Sequence, residues 1–249
     1  MENMKETIDR LIDIGQQLAE PKQVTICGKT YANKDLTRYD KPKYPRALTG
    51  NTLTGLLDYL EYVLPGERVD ADDWHFCMID SCKRVRVVSR LDEEGERETL
   101  FQADAVVNGF EFDRWYGQEE FVIALQANFL PTKDLDAVKA VSGNVQKSSV
   151  ETYGDDGTTQ KATISTGIAS KTDVIVPNPV TLTPYRTFLE AGQPDSPFVF
   201  RIKAEDGKPP MFKLVAADGA VWELLAIDNI RKYLRKEFDR RGIPLPIIG

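Results

Sequence analysis

The chain has 249 residues, 41% of them hydrophobic and 29% charged, a balance that builds a packed core and excludes a disordered polyelectrolyte. No apolar run approaches the ~18 residues that a membrane-spanning helix needs, and a formal net charge of −7 repels a long phosphate backbone. Cys27, Cys77 and Cys82 are an odd set without framework spacing, so free thiols in a reducing compartment are expected rather than disulfides.

Residues 4–20 place Met4, Ile8, Leu11, Ile12, Gly15 and Leu18 at the three-and-four spacing of one helical face, and Pro21 ends the pattern. The acids and glutamines in this stretch interrupt the apolar region that a signal peptide requires. Short β-type runs on either side of Cys27-Gly28 predict a hairpin, and "DKPKYPRALTGN" reads as a connection. Asn51 or Thr52 can cap a helix reaching Leu64, with Leu53, Leu56, Leu57, Leu60 and Leu64 inward and Pro65-Gly66 as the stop.

"DWHFCMID", "KRVRVVSRL" and "RETLFQA" follow as an antiparallel meander, with an acidic turn around Glu94 and Gly95. "EEFVIALQANFL" puts Phe121, Leu125 and Phe129 on one helical face before Pro131, and "DLDAVKAV" is a further short helix. From Gly143 the composition shifts towards Gly, Ser, Thr and Asp. "NVQKSSVETY" and "TTQKATISTGI" flank "GDDG" as a long ribbon. Asp-Gly pairs at Asp206 and Asp218 then divide a second meander of three runs, and Ile227, Ile230, Leu234 and Phe238 mark a final helix. The expected class is α+β: a mostly antiparallel β structure with an N-terminal, a central and a C-terminal helix. The texture change sets expected parts at 1–142 and 143–249, with one continuous domain as the alternative.

Five phrases carry a likeness: "TLTGLLDYL" (52–60), "EEFVIALQANF" (119–129), "GNVQKSSVETYGDDGTTQ" (143–160), "VPNPVTLTPYRTFLE" (176–190) and "VWELLAIDNIRKYL" (221–234). Together they resemble a family of uncharacterised proteins encoded by bacteriophages and prophages, over most of the chain. The resemblance brings no assigned active site. It implies a phage gene product, early and non-virion, acting in the cytoplasm of a bacterial host.

Catalytic clusters are sparse. One histidine, His75, would have to serve any Ser-His or Cys-His relay, and no nucleophile elbow, phosphate loop, dinucleotide fingerprint or zincin motif occurs. His75, Cys77 and Cys82 could offer three metal ligands, with Asp72 or Asp73 as a fourth, but the spacing fits no zinc pattern and reads better as an ordinary strand. No cofactor, no metal and no catalytic residue is therefore assigned. The basic residues Arg231, Lys232, Arg235, Lys236, Arg240 and Arg241 suit a nucleic-acid face, and equally the solvent side and C-terminal end of a helix.

The stretch 176–190 is the candidate site. Pro177 and Pro179 lack backbone donors, which confines the segment to a sheet edge or an exposed loop. Tyr185, Arg186 and Phe188 offer aromatic faces beside a planar cation, the combination that stacks on a base and forks onto a phosphate. Arg114, Trp115 and Tyr116 repeat the ingredients. Packing is the competing reading of both stretches, and a shared cleft would decide between them. The expected function is a non-enzymatic, homo-oligomeric binding protein that sequesters a small nucleotide-type ligand, such as a host immune signal. The alternatives are an inhibitor or adaptor docking on a host or phage protein through the proline-rich edge or the ribbon at 144–168, an accessory factor in DNA replication or recombination, and a nuclease or phosphodiesterase built on Asp70 to Asp73.

Overall fold

The computed structural model describes residues 2–32, 44–63, 75–92, 95–144, 159–165, 171–203 and 208–249. They form an α+β structure that divides into two compact units, Met1–Pro45 and Arg46–Gly249. The smaller unit holds α1 (Glu2–Ala19) and the hairpin β1 (Gln23–Ile26) and β2 (Lys29–Ala32). Cys27 and Gly28 both take positive φ, 52° and 74°, the turn geometry whose twist matches the flanking strands. Met4, Ile8, Leu11 and Ile12 of α1 are exposed.

The larger unit contains two layers. In the first, a five-stranded sheet runs in the order β13 (Ile247–Ile248), β4 (Phe76–Ser81), β5 (Arg84–Leu91), β6 (Arg97–Asp104), β3 (Leu48–Gly50). Its centre is antiparallel and its two edges pair in parallel. Alternation aims Cys77, Ile79, Val85, Val87, Phe101 and Ala103 at one face. Helices α2 (Leu53–Val63) and α5 (Val221–Arg241) cover that face through Leu53, Leu56, Leu57, Leu60, Ile230, Leu234 and Phe238. Thr52 caps α2 by accepting the Gly55 amide at 3.0 Å. Arg241 ties the far end of α5 to α2 through Asp58 and Glu61.

The second layer is a four-stranded sheet in the order β10 (Val180–Leu182), β11 (Ser196–Lys203), β12 (Met211–Ala216), β7 (Tyr116–Gly117). Helices α3 (Gln118–Asn128) and α4 (Lys133–Asn144) bury Phe121, Leu125, Leu135, Val138 and Val141 against its Phe198, Phe200, Phe212 and Leu214. Each of these fully buried side chains contributes about 1.5–3 kcal/mol through apolar area removed from water. β10 is an edge strand that begins just after Pro179. Strands from before and after residue 143 share both larger sheets, and the unit Arg46–Gly249 spans that position.

Two expectations change. The run after the second Asp-Gly pair is helix rather than a third strand: Asp218 Oδ1 accepts the Ala220 amide, Gly219 and Ala220 turn through φ values of 57° and 66°, and α5 begins at Val221. The ribbon differs too, because β8 (Thr159–Ser165) pairs with the downstream β9 (Lys171–Pro177). Its expected upstream partner lies outside the described residues, as do Leu64, Asp70 to Trp74 and Asp206.

Candidate functional site: two arginines of opposite setting

The connection between β10 and β11 crosses from one core to the other. Val180 and Leu182 belong to the core under the four-stranded sheet, and Phe188 and Ala191 to the core under the five-stranded one. An irregular buried segment must still satisfy its backbone. Gln193 does much of this: its Oε1 accepts the amides of Arg186 and Thr187, and its Nε2 donates to the carbonyls of Phe188 and Ala191. The Thr187 hydroxyl donates to the Cys82 carbonyl. The stretch expected to be a sheet edge or an exposed loop is thus an edge strand followed by a loop that is mostly buried rather than exposed, because Thr187, Phe188 and Ala191 are packed inside.

Arg186 sits where the two cores meet, only 8% exposed. Its guanidinium carbon lies 4.1 Å from the Trp222 ring centroid, 5.6 Å from that of Phe198 and 5.9 Å from that of Phe112. One terminal nitrogen donates to Ser196 Oγ at 2.5 Å, while the buried Nε has no partner. Among the described residues no carboxylate pairs with Arg186, although Asp218 and Glu223 are near enough to favour its charge. Burial dominates and pulls its pKa down to about 10. Asp218 Oδ2 is likewise buried and without a hydrogen bond. The locus therefore holds a bare donor, a bare acceptor, a hydroxyl and an indole face. Burial chiefly pushes the Cys82 thiol up, which makes it a poor nucleophile.

Arg114 has the contrary setting. It is exposed, and its two terminal nitrogens donate to Glu111 at 2.9 Å and Glu120 at 2.7 Å. Its guanidinium carbon lies 4.6 Å from the Tyr116 ring centroid. These contacts fasten the loop at 109–116 to α3 and enclose a groove of about 550 Å³. Ile123, Ala124 and Ala127 form the helical side of that groove, Phe110 and Tyr116 the loop side, and Glu111, Glu119 and Glu120 its rim. The hydrogen bonds to the carboxylates hold the Arg114 pKa above its ordinary value. Two carboxylates already neutralise this cation and compete with any phosphate for it, which disfavours Arg114 as an anion-binding residue.

The remaining candidates divide. Phe188 is 2% exposed inside the second core and presents no open face, so it leaves the ligand set. Tyr116 is buried, stacked on Phe110, with its hydroxyl bonded to the Glu111 backbone. Trp115 receives the Lys213 ammonium 5.0 Å from its ring centroid. Tyr185 is half-buried and donates its amide to the Asn128 carbonyl. Arg186 does not line the groove beside Arg114.

Residues not expected from the sequence complete the Arg186 locus: Trp222, Ser196, Asp218 and Phe112. The signal for Trp222 was the spacing Trp222, Ala226, Ile230, which extends the α5 stripe one turn upstream. Most of the basic α5 charges are paired: Arg231 and Lys232 with Asp228, Arg240 with Glu237, and Arg241 with α2. That pairing weakens the DNA-accessory reading. Among the described residues no group of three His, Cys, Asp or Glu side chains could hold a metal, and no helix is long and apolar enough to cross a membrane. The acids Asp70 to Asp73 lie outside the described residues. No family model, no curated protein and no solved structure matches this chain.

Proposed function

We propose that the protein is a binding protein, not a catalyst, that captures a small nucleotide-type ligand at Arg186. The observation that carries the reading is a guanidinium buried without a carboxylate pair. A buried charge normally costs several kcal/mol unless it is paired and hydrogen-bonded, and here one bond to Ser196 is all it has. A planar cation with free donors is the group that takes a phosphate or a carbonyl edge through a forked hydrogen bond.

The neighbours narrow the ligand class. Asp218 Oδ2, a bare buried acceptor, suits the N–H edge of a base, and Trp222 is half-buried beside it. Asp218 and Glu223 restrict the ligand to few phosphates, because a polyanion would meet their repulsion. The Cys82 thiol, raised by burial, favours holding the ligand over attacking it. In the wider role, carried by the likeness of phrases, the ligand is a host immune signal and the bound state keeps it from its receptor in a phage-infected cell.

The test is retention. Protein incubated with bacterial extract, desalted and heated should release an unmodified nucleotide in near-equal amount, and Arg186→Met should release none. Conversion of the ligand, or equal retention by the variant, would sink the proposal.

A further inference from the structure

We propose that the groove between α3 and the loop at 109–116 is a docking site for a cationic amphipathic helix of a partner protein. The inference does not rest on the Arg186 site. Its first support is shape. Glu119, Glu120, Ile123, Ala124 and Ala127 recur along one face of α3, and at ~1.5 Å per residue the groove side runs about 13 Å, some two to three helical turns. Ile123 is 57% exposed on this face, whereas Phe121 and Leu125 on the opposite face are fully buried. Ala124 and Ala127 beside it leave room for a partner backbone.

The second support is charge. Three rim carboxylates, Glu111, Glu119 and Glu120, stand against the single guanidinium of Arg114, so the rim keeps two negative charges. The guanidinium is already engaged by Glu111 and Glu120, which leaves no free cation for an anionic ligand. An apolar floor under an acidic rim complements a helix with leucine-like anchors at i and i+4 flanked by Lys or Arg. It repels an anionic membrane surface, whose peripheral helices carry basic polar faces. The Arg114 clip holds both walls before binding, so little ordering is left to a partner.

Fluorescence anisotropy with a labelled leucine-lysine amphipathic peptide of about 14 residues, ~21 Å as a helix, tests the proposal. Two reference peptides are a leucine-glutamate version and a serine-lysine version of equal charge without anchors. The leucine-lysine peptide should bind at least about tenfold more tightly than either. Ile123→Glu discriminates groove from surface charge. The added negative charge strengthens a purely electrostatic attachment and weakens seating in the groove. The expected result is about tenfold weaker binding with an unchanged thermal melt, and Glu119→Lys should also weaken binding. Equal binding of the serine-lysine peptide, or Ile123→Glu binding as well as or better than the parent, would overturn the proposal.

Discussion

Replacing Arg186 with methionine separates a structural arginine from a ligand-holding one. Methionine keeps most of the volume and removes the charge. Burial lowers the pKa to about 10, which corresponds to ~3 kcal/mol of disfavour for the charged form before screening. Solvent near the half-buried Trp222 screens this to about 1–2 kcal/mol. The sign is fixed at neutral pH. Below about pH 10 the folded and unfolded chains both carry the proton, so the penalty is constant, and only above about 10, where the folded chain loses the proton first, does stability rise with pH. Against the relief stand the bond to Ser196 and the stack on Trp222, the latter worth about 1–2 kcal/mol and partly replaced by sulfur–aromatic contact of about 0.3–1.5 kcal/mol. The terms nearly cancel, so Arg186→Met should lie within ~1 kcal/mol of the parent in urea denaturation at pH 7. Breaking a buried ion pair instead costs about 3–5 kcal/mol. A loss of that size would show that Asp218 and Glu223 hold Arg186 as a structural cation, and the ligand argument would fall.

Thiol titration should count one fast-reacting cysteine in the native protein, Cys27, because Cys77 and Cys82 are buried; three fast thiols would refute the burial of the latter pair. Burial pushes the Cys77 thiol up to about 12. Between pH 9 and 12 the unfolded chain therefore loses this proton first, and stability falls by about 1.4 kcal/mol at pH 10. Cys77→Val should abolish that part of the alkaline loss, as seen in denaturation at pH 7 and 10. Thr52→Ala removes the cap on Gly55 and should cost about 1 kcal/mol by urea denaturation. Phe200→Ala, in the centre of the four-stranded layer, should cost about 3–5 kcal/mol in the same assay.

What could be read from the sequence was local. Thr52 and the leucines of α2 fit a capped helix of 3.6-residue period, and β10, the strand just after Pro179, does lie at a sheet edge. The meander of β4, β5 and β6 alternates at period two, with Cys77 and Ile79 on the core face of β4. The start of α5 was hidden because Asp218-Gly219 serves a hairpin turn and a helix entry equally well, and only packing decides. The site was half visible. Arg186 stands in an aperiodic segment, where no spacing says whether Tyr185, Arg186 or Phe188 points inward. Its partners Trp222, Ser196 and Asp218 arrive from other elements, a long-range convergence that a linear pattern does not carry. Arg114 had the right ingredients, but its carboxylate partners at 111 and 120 decide its chemistry, and their convergence depends on the loop folding back on α3.

In the proposed function the buried guanidinium of Arg186 holds an anionic small molecule. Mass spectrometry of molecules released by heat from the full chain, after exposure to extract of bacteria rich in nucleotide signals, tests it most directly. One unmodified nucleotide-type species near one per chain is expected, lost in Arg186→Met while the melt is retained. A folded parent protein that releases nothing from an extract shown to contain such molecules would contradict it.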